Sequence, residues 1–349
     1  MKPSLAAAPL ILFSLLAAIW AGWIRAGWEL PLSSAAGQHG NLMVNCFLAA
    51  LIMLERAITF RQWWVRLLPL LHALALPFLL AGNPVVAHAL LLAGSLGFSL
   101  LCAWLHWKHR ELHYLVFVVG AACLAAGNLL LWKTGSYATA AGWWIAFLLL
   151  TIVAERLELS KFLPRTALQR RLLLLSLAGV FPGLLLAHPA GTGFLAAALA
   201  ASGAWLLRYD MARKSLHAPG AHRYSARLLL AGFCWLPATS VLLLVQSRLP
   251  FGYDAVLHAF FIGFVFAMIF SHAPVILPAV LRKRLEVYHP VLYGWFVCLQ
   301  ASLLLRIFAD VAGSGPLRRW AAIGNGVSIL LFFITVAGRT AVQIRSGKA

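Results

Sequence analysis

Charge is what this sequence has least of. Only 11% of its 349 residues are Asp, Glu, Lys or Arg, and just nine of those are acidic. A chain so poor in charge falls outside the balance of a soluble globular domain. Cysteine chemistry is also thin. Cys46, Cys102, Cys123, Cys234 and Cys298 are scattered through apolar segments with no CxxC spacing, so they read as small buried hydrophobes, not a disulfide framework or a zinc site. No CxxCH occurs, which excludes covalent attachment of a c-type haem. Long hydrophilic stretches are missing too. The two longest, near 156–170 and 209–224, are too short to bury a core. Any chemistry must then take place within apolar segments or at their rims.

Apolar sequence is abundant: 62% of residues are hydrophobic, with 14 tryptophans and a mean hydropathy of +0.88. This composition predicts an all-α polytopic membrane bundle forming one integral membrane domain over 1–349. A span needs about 20 apolar residues at about 1.5 Å each. Twelve such segments can be drawn, near 7–28, 39–60, 64–81, 84–106, 112–131, 139–157, 170–187, 190–208, 225–245, 254–281, 290–309 and 317–338. The first begins six residues in and is read as a retained helix, not a signal peptide.

Basic residues give an independent check on that division. With both termini cytoplasmic, 22 of the 28 Lys and Arg fall on the inner side, leaving Arg25, Lys133, Arg248, Arg306, Arg318 and Arg319 outside. This is the inside-positive bias of a multi-pass protein. It also accounts for the net charge of +19 through topology and anionic membrane lipids, so no nucleic-acid partner is expected. A weak echo between LERA at 54–57 and AERLELS at 154–160 hints at two halves. Glu55 and Glu155 in that echo have two readings: rim partners of nearby arginines, or groups that handle protons. Pro77, Pro182, Pro237, Pro274 and Pro278 interrupt apolar segments, as they do in many membrane helices and in the broken helices of transporters.

Histidine carries the sharper functional question, because an imidazole in hydrocarbon needs a partner. His106, His109, His113, His217, His222 and His289 fall at the inner rim among basic residues and read as interfacial. His39, His88 and His258 each lie at comparable depth toward the outer side on a different segment, which is how a bundle assembles a metal or haem site. Asp254 and His258 are four apart and share a helix face. Either the carboxylate accepts from one ring nitrogen and leaves the other for a metal, or Asp254 marks the aqueous end and His258 bonds a backbone carbonyl. His272 follows 14 residues later, about 21 Å along an α-helix and about 40° from the same face, so it belongs to a second, inner site. His72 is a candidate partner there. Haem b needs only axial imidazole, and copper is a second metal compatible with these ligands.

Three segments, QHGNLMVNCFLAALIMLERA, DAVLHAFFIGFVFAMIFSHAP and LQASLLLRIFAD, resemble the NnrS family of membrane proteins associated with bacterial responses to nitric oxide. The resemblance implies a haem- and copper-containing protein of the bacterial cytoplasmic (inner) membrane that relieves nitrosative stress. It would bind or process a diatomic gas with electrons from a membrane donor. His39 matches the family's histidine at the start of the second span, and His258 the one in its Asp-x-x-x-His-Ala segment. His272 stands in SHAP, where the family has Gly-His-Thr-Gly. A secondary transporter of a metal ion, haem or small metabolite is the principal alternative, and an assembly partner of a respiratory complex is a third.

Overall fold

A backbone in hydrocarbon must satisfy its amides within its own segment, and every regular element among the described residues is helical. The computed structural model describes residues 7–345 apart from 61, 282 and 284. Lys2, Arg61, Arg282, Arg284 and Lys348, which enter the charge count above, lie outside the described residues.

The chain divides into two units, Met1–Leu159 and Ser160–Ala349. In the first, six helices follow one another: α1 (Ala8–Arg25), α2 (residues 39–57), α3 (Leu67–Leu80), α4 (Pro84–His109), α5 (Leu112–Thr134) and α6 (Tyr137–Leu159). α2 changes winding along its length, with Asn41–Ala49 as a π-helix and Ala50–Ala57 as an α-helix. Sequence sets the start of α4, where the Asn83 side chain accepts from the Val86 amide and Pro84 supplies a first residue whose missing N–H costs nothing. The unit closes on small side chains. Ala18 and Ala21 of α1, Cys46 of α2, Ala75 of α3 and Ala87 of α4 join one buried cluster, which allows the close backbone approach that membrane helices depend on. α6 is the enclosed member: Phe147, Leu148 and Leu149, successive around the helix, are all fully buried.

The second unit contains α7 (Ala167–Ala178, continued by Val180–Leu185), α8 (Ala190–Tyr209), α9 (Gly220–Val245), α10 (residues 252–281), α11 (Val291–Ala312) and α12 (Gly315–Arg345), with a short turn of helix at Ala212–Ser215. A reciprocal Thr166–Gln169 capping box starts α7. α10 again mixes windings: Gly252–His258 is α-helical, Ala259–Phe266 is a π-helix, and Ala267–Leu281 returns to α. Aromatic rings fill this core. Phe233, Phe260, Phe264, Phe270 and Phe332 are buried, and Phe270 stacks on Phe332 with centroids 3.7 Å apart.

Ten helices among the described residues, α1 and α4 to α12, are long and apolar enough to cross a membrane. The sequence suggests twelve. Of the other two, the α3 segment reaches only 17 residues, Trp64–Leu80, and α2 is not among the ten. Large apolar side chains such as Leu100, Leu175, Phe308 and Val342 point outward, as they do where lipid replaces water.

Candidate functional sites

His39 opens α2 and faces α1. Its Nδ1 lies 2.8 Å from the Ala18 carbonyl. A carbonyl can only accept, so Nδ1 carries a proton. Gly22 makes room for the ring, since a Cβ there would stand 2.9 Å from His39 Cε1. The π-helical winding starts two residues later, at Asn41.

That winding begins a line of buried polar groups through the first unit. Gln38 Oε1 accepts from the Tyr137 hydroxyl at 3.1 Å and from Asn41 Nδ2 at 3.3 Å. Asn41 Oδ1 accepts from Asn45 Nδ2 at 3.1 Å. The Asn45 carbonyl then accepts from His72 Nδ1 at 3.1 Å, and His72 Nε2 faces Ser95 Oγ at 3.3 Å. Asn128 Nδ2 donates to Ser95 Oγ at 2.8 Å, and its Oδ1 accepts from Trp144 Nε1 at 3.0 Å. Asn41, Asn45, His72, Ser95, Asn128 and Trp144 are all buried. His72, the candidate partner of an inner site, thus has its Nδ1 held by the Asn45 carbonyl and its Nε2 turned toward Ser95.

His88, on α4, is half-buried beside the Trp132 ring at 6.4 Å, and its buried Nε2 has no hydrogen-bond partner. At the other end of the unit, Arg56 bridges Glu158 at 2.8 Å and Glu155 at 3.8 Å while its guanidinium lies 4.2 Å over the Phe117 ring. Glu55 shares the field of Arg56 and Glu158. The rim-partner reading of Glu155 therefore has its arginine.

In the second unit, the Nδ1 of His258 lies 2.7 Å from the main-chain carbonyl of Asp254, one turn back on the same helix. Of the two readings of this pair, the contact matches the one in which His258 donates to a main-chain carbonyl. The carboxylate is engaged elsewhere. It accepts from Arg306 at 3.2 Å and from Arg318. The same two arginines reach Asp310, Arg306 Nε at 3.4 Å and Arg318 Nε at 2.7 Å. Two carboxylates and two guanidinium groups share one buried cluster of zero net charge, and Arg318 also lies 4.1 Å over the Phe251 ring. Arg306 and Arg318 enter the sequence reading only as outer-side charges. The signal for their role was the Arg306/Asp310 spacing of four inside an apolar run.

His272 is half-buried on the Ala267–Leu281 part of α10. Its expected offset from His258 assumed α-helical winding throughout, but Ala259–Phe266 winds as a π-helix, so neither the 21 Å rise nor the shared face carries over. His39 and His88 belong to the first unit, His258 and His272 to the second. Among the described residues there is no group of three or more His, Cys, Asp or Glu that could hold a metal ion.

A family model described as Domain of unknown function (DUF8744) matches residues 5–341. No curated protein and no solved structure matches the chain. The matching family is not NnrS, so neither haem nor copper comes to this chain with the match.

Proposed function

We propose a function for a chain that belongs to the DUF8744 family: a multi-pass haem protein of the bacterial cytoplasmic membrane, with twelve spans and both termini inside. His39 in the first unit and His258 in the second are each, taken separately, a candidate axial imidazole for haem b. The observation that carries this reading is the matched state of the two rings. Each gives its Nδ1 hydrogen to a main-chain carbonyl, at 2.8 and 2.7 Å, the kind of contact that orients a metal-bound histidine. The donor set fits haem, whose porphyrin supplies the equatorial nitrogens and asks the protein for imidazole alone. Bound haem would supply an iron centre for electron transfer or for a diatomic ligand. Nitric oxide as that ligand, and copper beside the haem, rest on the segments that resemble NnrS, with His88 and His272 as the further candidate ligands.

The test is to purify the protein from cells supplied with iron and copper and to measure its absorption spectrum and metal content together. A Soret band that changes in intensity or position in His39→Ala or His258→Ala supports the reading. Absence of the band and of stoichiometric metal after several gentle extractions overturns it, and unchanged spectra in both variants move the ligands elsewhere. A secondary transporter is the second reading, favoured by the four-charge cluster at Asp254 and by the prolines inside α10.

A further inference from the structure

We propose that the second unit binds the phosphate of an anionic phospholipid where α9 and α11 begin. Arg223, Arg227 and the hydroxyls of Tyr288 and Tyr293 would hold it, with the Tyr224 hydroxyl behind them. The inference needs neither haem nor a direction of insertion, only that these helices end in a bilayer.

Sequence sets out the cationic donors. Arg223 and Arg227 are four apart in HRYSAR, so they share one face of α9. Both are exposed, near the start of a helix whose first turn holds no acidic residue. Peptide dipoles give that end a partial positive charge, which makes a cation there unfavourable unless an anion joins it. Arg223 Nε donates to the Ala218 carbonyl at 3.0 Å, and Arg227 Nη1 to the Tyr293 hydroxyl at 3.4 Å, with the Arg227 guanidinium 5.8 Å over that ring. No carboxylate pairs with either arginine among the described residues.

A buried hydroxyl beside them points independently to a ligand. Tyr224 is fully buried and its hydroxyl has no hydrogen-bond partner, although its ring packs against those of Tyr293 at 4.9 Å and Tyr288 at 5.4 Å. The Tyr224 hydroxyl shares the field of the other two, and that of Tyr288 also shares the field of Arg227 and Arg223. Two guanidinium groups and three phenols thus gather without a carboxylate. A phosphate supplies the missing acceptor. Its oxygens take charge-assisted bonds from the arginines, whose planar fork suits them, and bonds from Tyr288 and Tyr293. With their hydrogens turned to the phosphate, those two phenols present lone pairs to Tyr224.

The surroundings select a lipid as the source of that phosphate. Tyr293, Val297 and Leu304 fall on one face of α11, and both aliphatic side chains are exposed. An acyl chain can lie along them from a headgroup held at Tyr293. An anionic headgroup fits this corner better than a zwitterionic one, whose own cation would be brought up to two arginines that have no carboxylate.

The test compares lipids on the full chain, purified in detergent and stripped of bound lipid. It is titrated with phosphatidylglycerol, with phosphatidylcholine of the same acyl chains, and with inorganic phosphate. Native mass spectrometry counts the bound molecules, and thermal unfolding reads the stabilisation. The first phosphatidylglycerol should bind more tightly than the first phosphatidylcholine. Arg223→Ala with Arg227→Ala should weaken it about thirtyfold, a factor of about five for each arginine. Arg170→Ala with Arg171→Ala, which takes the same charge from the exposed start of α7, should change it by less than about threefold. Tyr224→Phe keeps the ring and removes a hydroxyl that has no partner, so the lipid-free protein should unfold no earlier than the parent and gain less from phosphatidylglycerol. That variant decides the matter if the arginine variants fail to fold. Equal binding of the two lipids overturns the proposal, as does an equal loss in the two arginine pairs or an undiminished gain in Tyr224→Phe. Stabilisation by inorganic phosphate that matches the lipid and requires Arg223 and Arg227 also overturns it, and assigns the site to a free phosphate.

Discussion

Removing one member of the Asp254–Arg306–Asp310–Arg318 cluster should cost more than removing a balanced pair. In Arg306→Met, two buried carboxylates are left with one guanidinium; in Asp310→Leu, two guanidinium groups are left with one carboxylate. Breaking a buried pair typically costs about 3–5 kcal/mol, and a lone charge at the centre of a membrane helix about 2.5–3.5 kcal/mol. These residues lie near helix ends: Asp254 is the third residue of α10, Asp310 the third from last of α11, and Arg318 the fourth of α12. Water is closer there than at the midplane, which brings the expected cost of each single substitution to about 2 kcal/mol, roughly thirtyfold in the folding equilibrium. Arg306→Met with Asp310→Leu removes the pair, four residues apart on one helix, and leaves Asp254 balanced by Arg318. That double variant should lose only about 1 kcal/mol, where independent losses would sum to about 4 kcal/mol. Reversible unfolding of all four proteins in mixed lipid–detergent micelles, titrated with a denaturing detergent, measures the cycle. A double variant as unstable as the sum of the singles would refute the charge-balance argument.

Arg56→Met should destabilise the first unit by about 2 kcal/mol, because Glu155 and Glu158 lose their shared cation; adding Glu158→Gln should recover part of that loss in the same unfolding assay. Gly94→Ala should cost about 1–3 kcal/mol, since the new methyl group would overlap His72 at 2.5 Å, and a Gly94→Ala protein as stable as the parent would show that the imidazole can leave its place against α4.

The helices were legible because a membrane span is written in composition: a long apolar run with its charges at the ends needs no knowledge of its neighbours. The polar sites were legible only where two groups share a helix face. Asp254 and His258 were paired from their spacing, and they do meet, but through the carbonyl, because the carboxylate is claimed by arginines 52 and 64 residues away. Ser95, Asn128 and Trp144 left no pattern at all. They stand on three different helices, and only the folded unit brings them to one another. Asn41 and Asn45 did leave one, a spacing of four, but neutral amides attract less notice than charges.

The π-helical stretches explain a deeper failure of pattern reading. Inferring which residues share a face assumes a fixed rotation per residue, and a π-helix, with its i→i+5 hydrogen bonds, turns more slowly than an α-helix. In α2 and α10 the face presented beyond the π winding is therefore displaced from the one the α-helical period assigns. Both stretches follow closely on a histidine whose Nδ1 is held by a carbonyl, and α2 and α10 are also the helices on which each unit's buried polar groups converge. The units differ in how they satisfy those groups. The first runs a chain of neutral amides, a hydroxyl and an imidazole. The second balances full charges two against two, so that a proton gained at either carboxylate would leave the two guanidinium groups sharing one carboxylate.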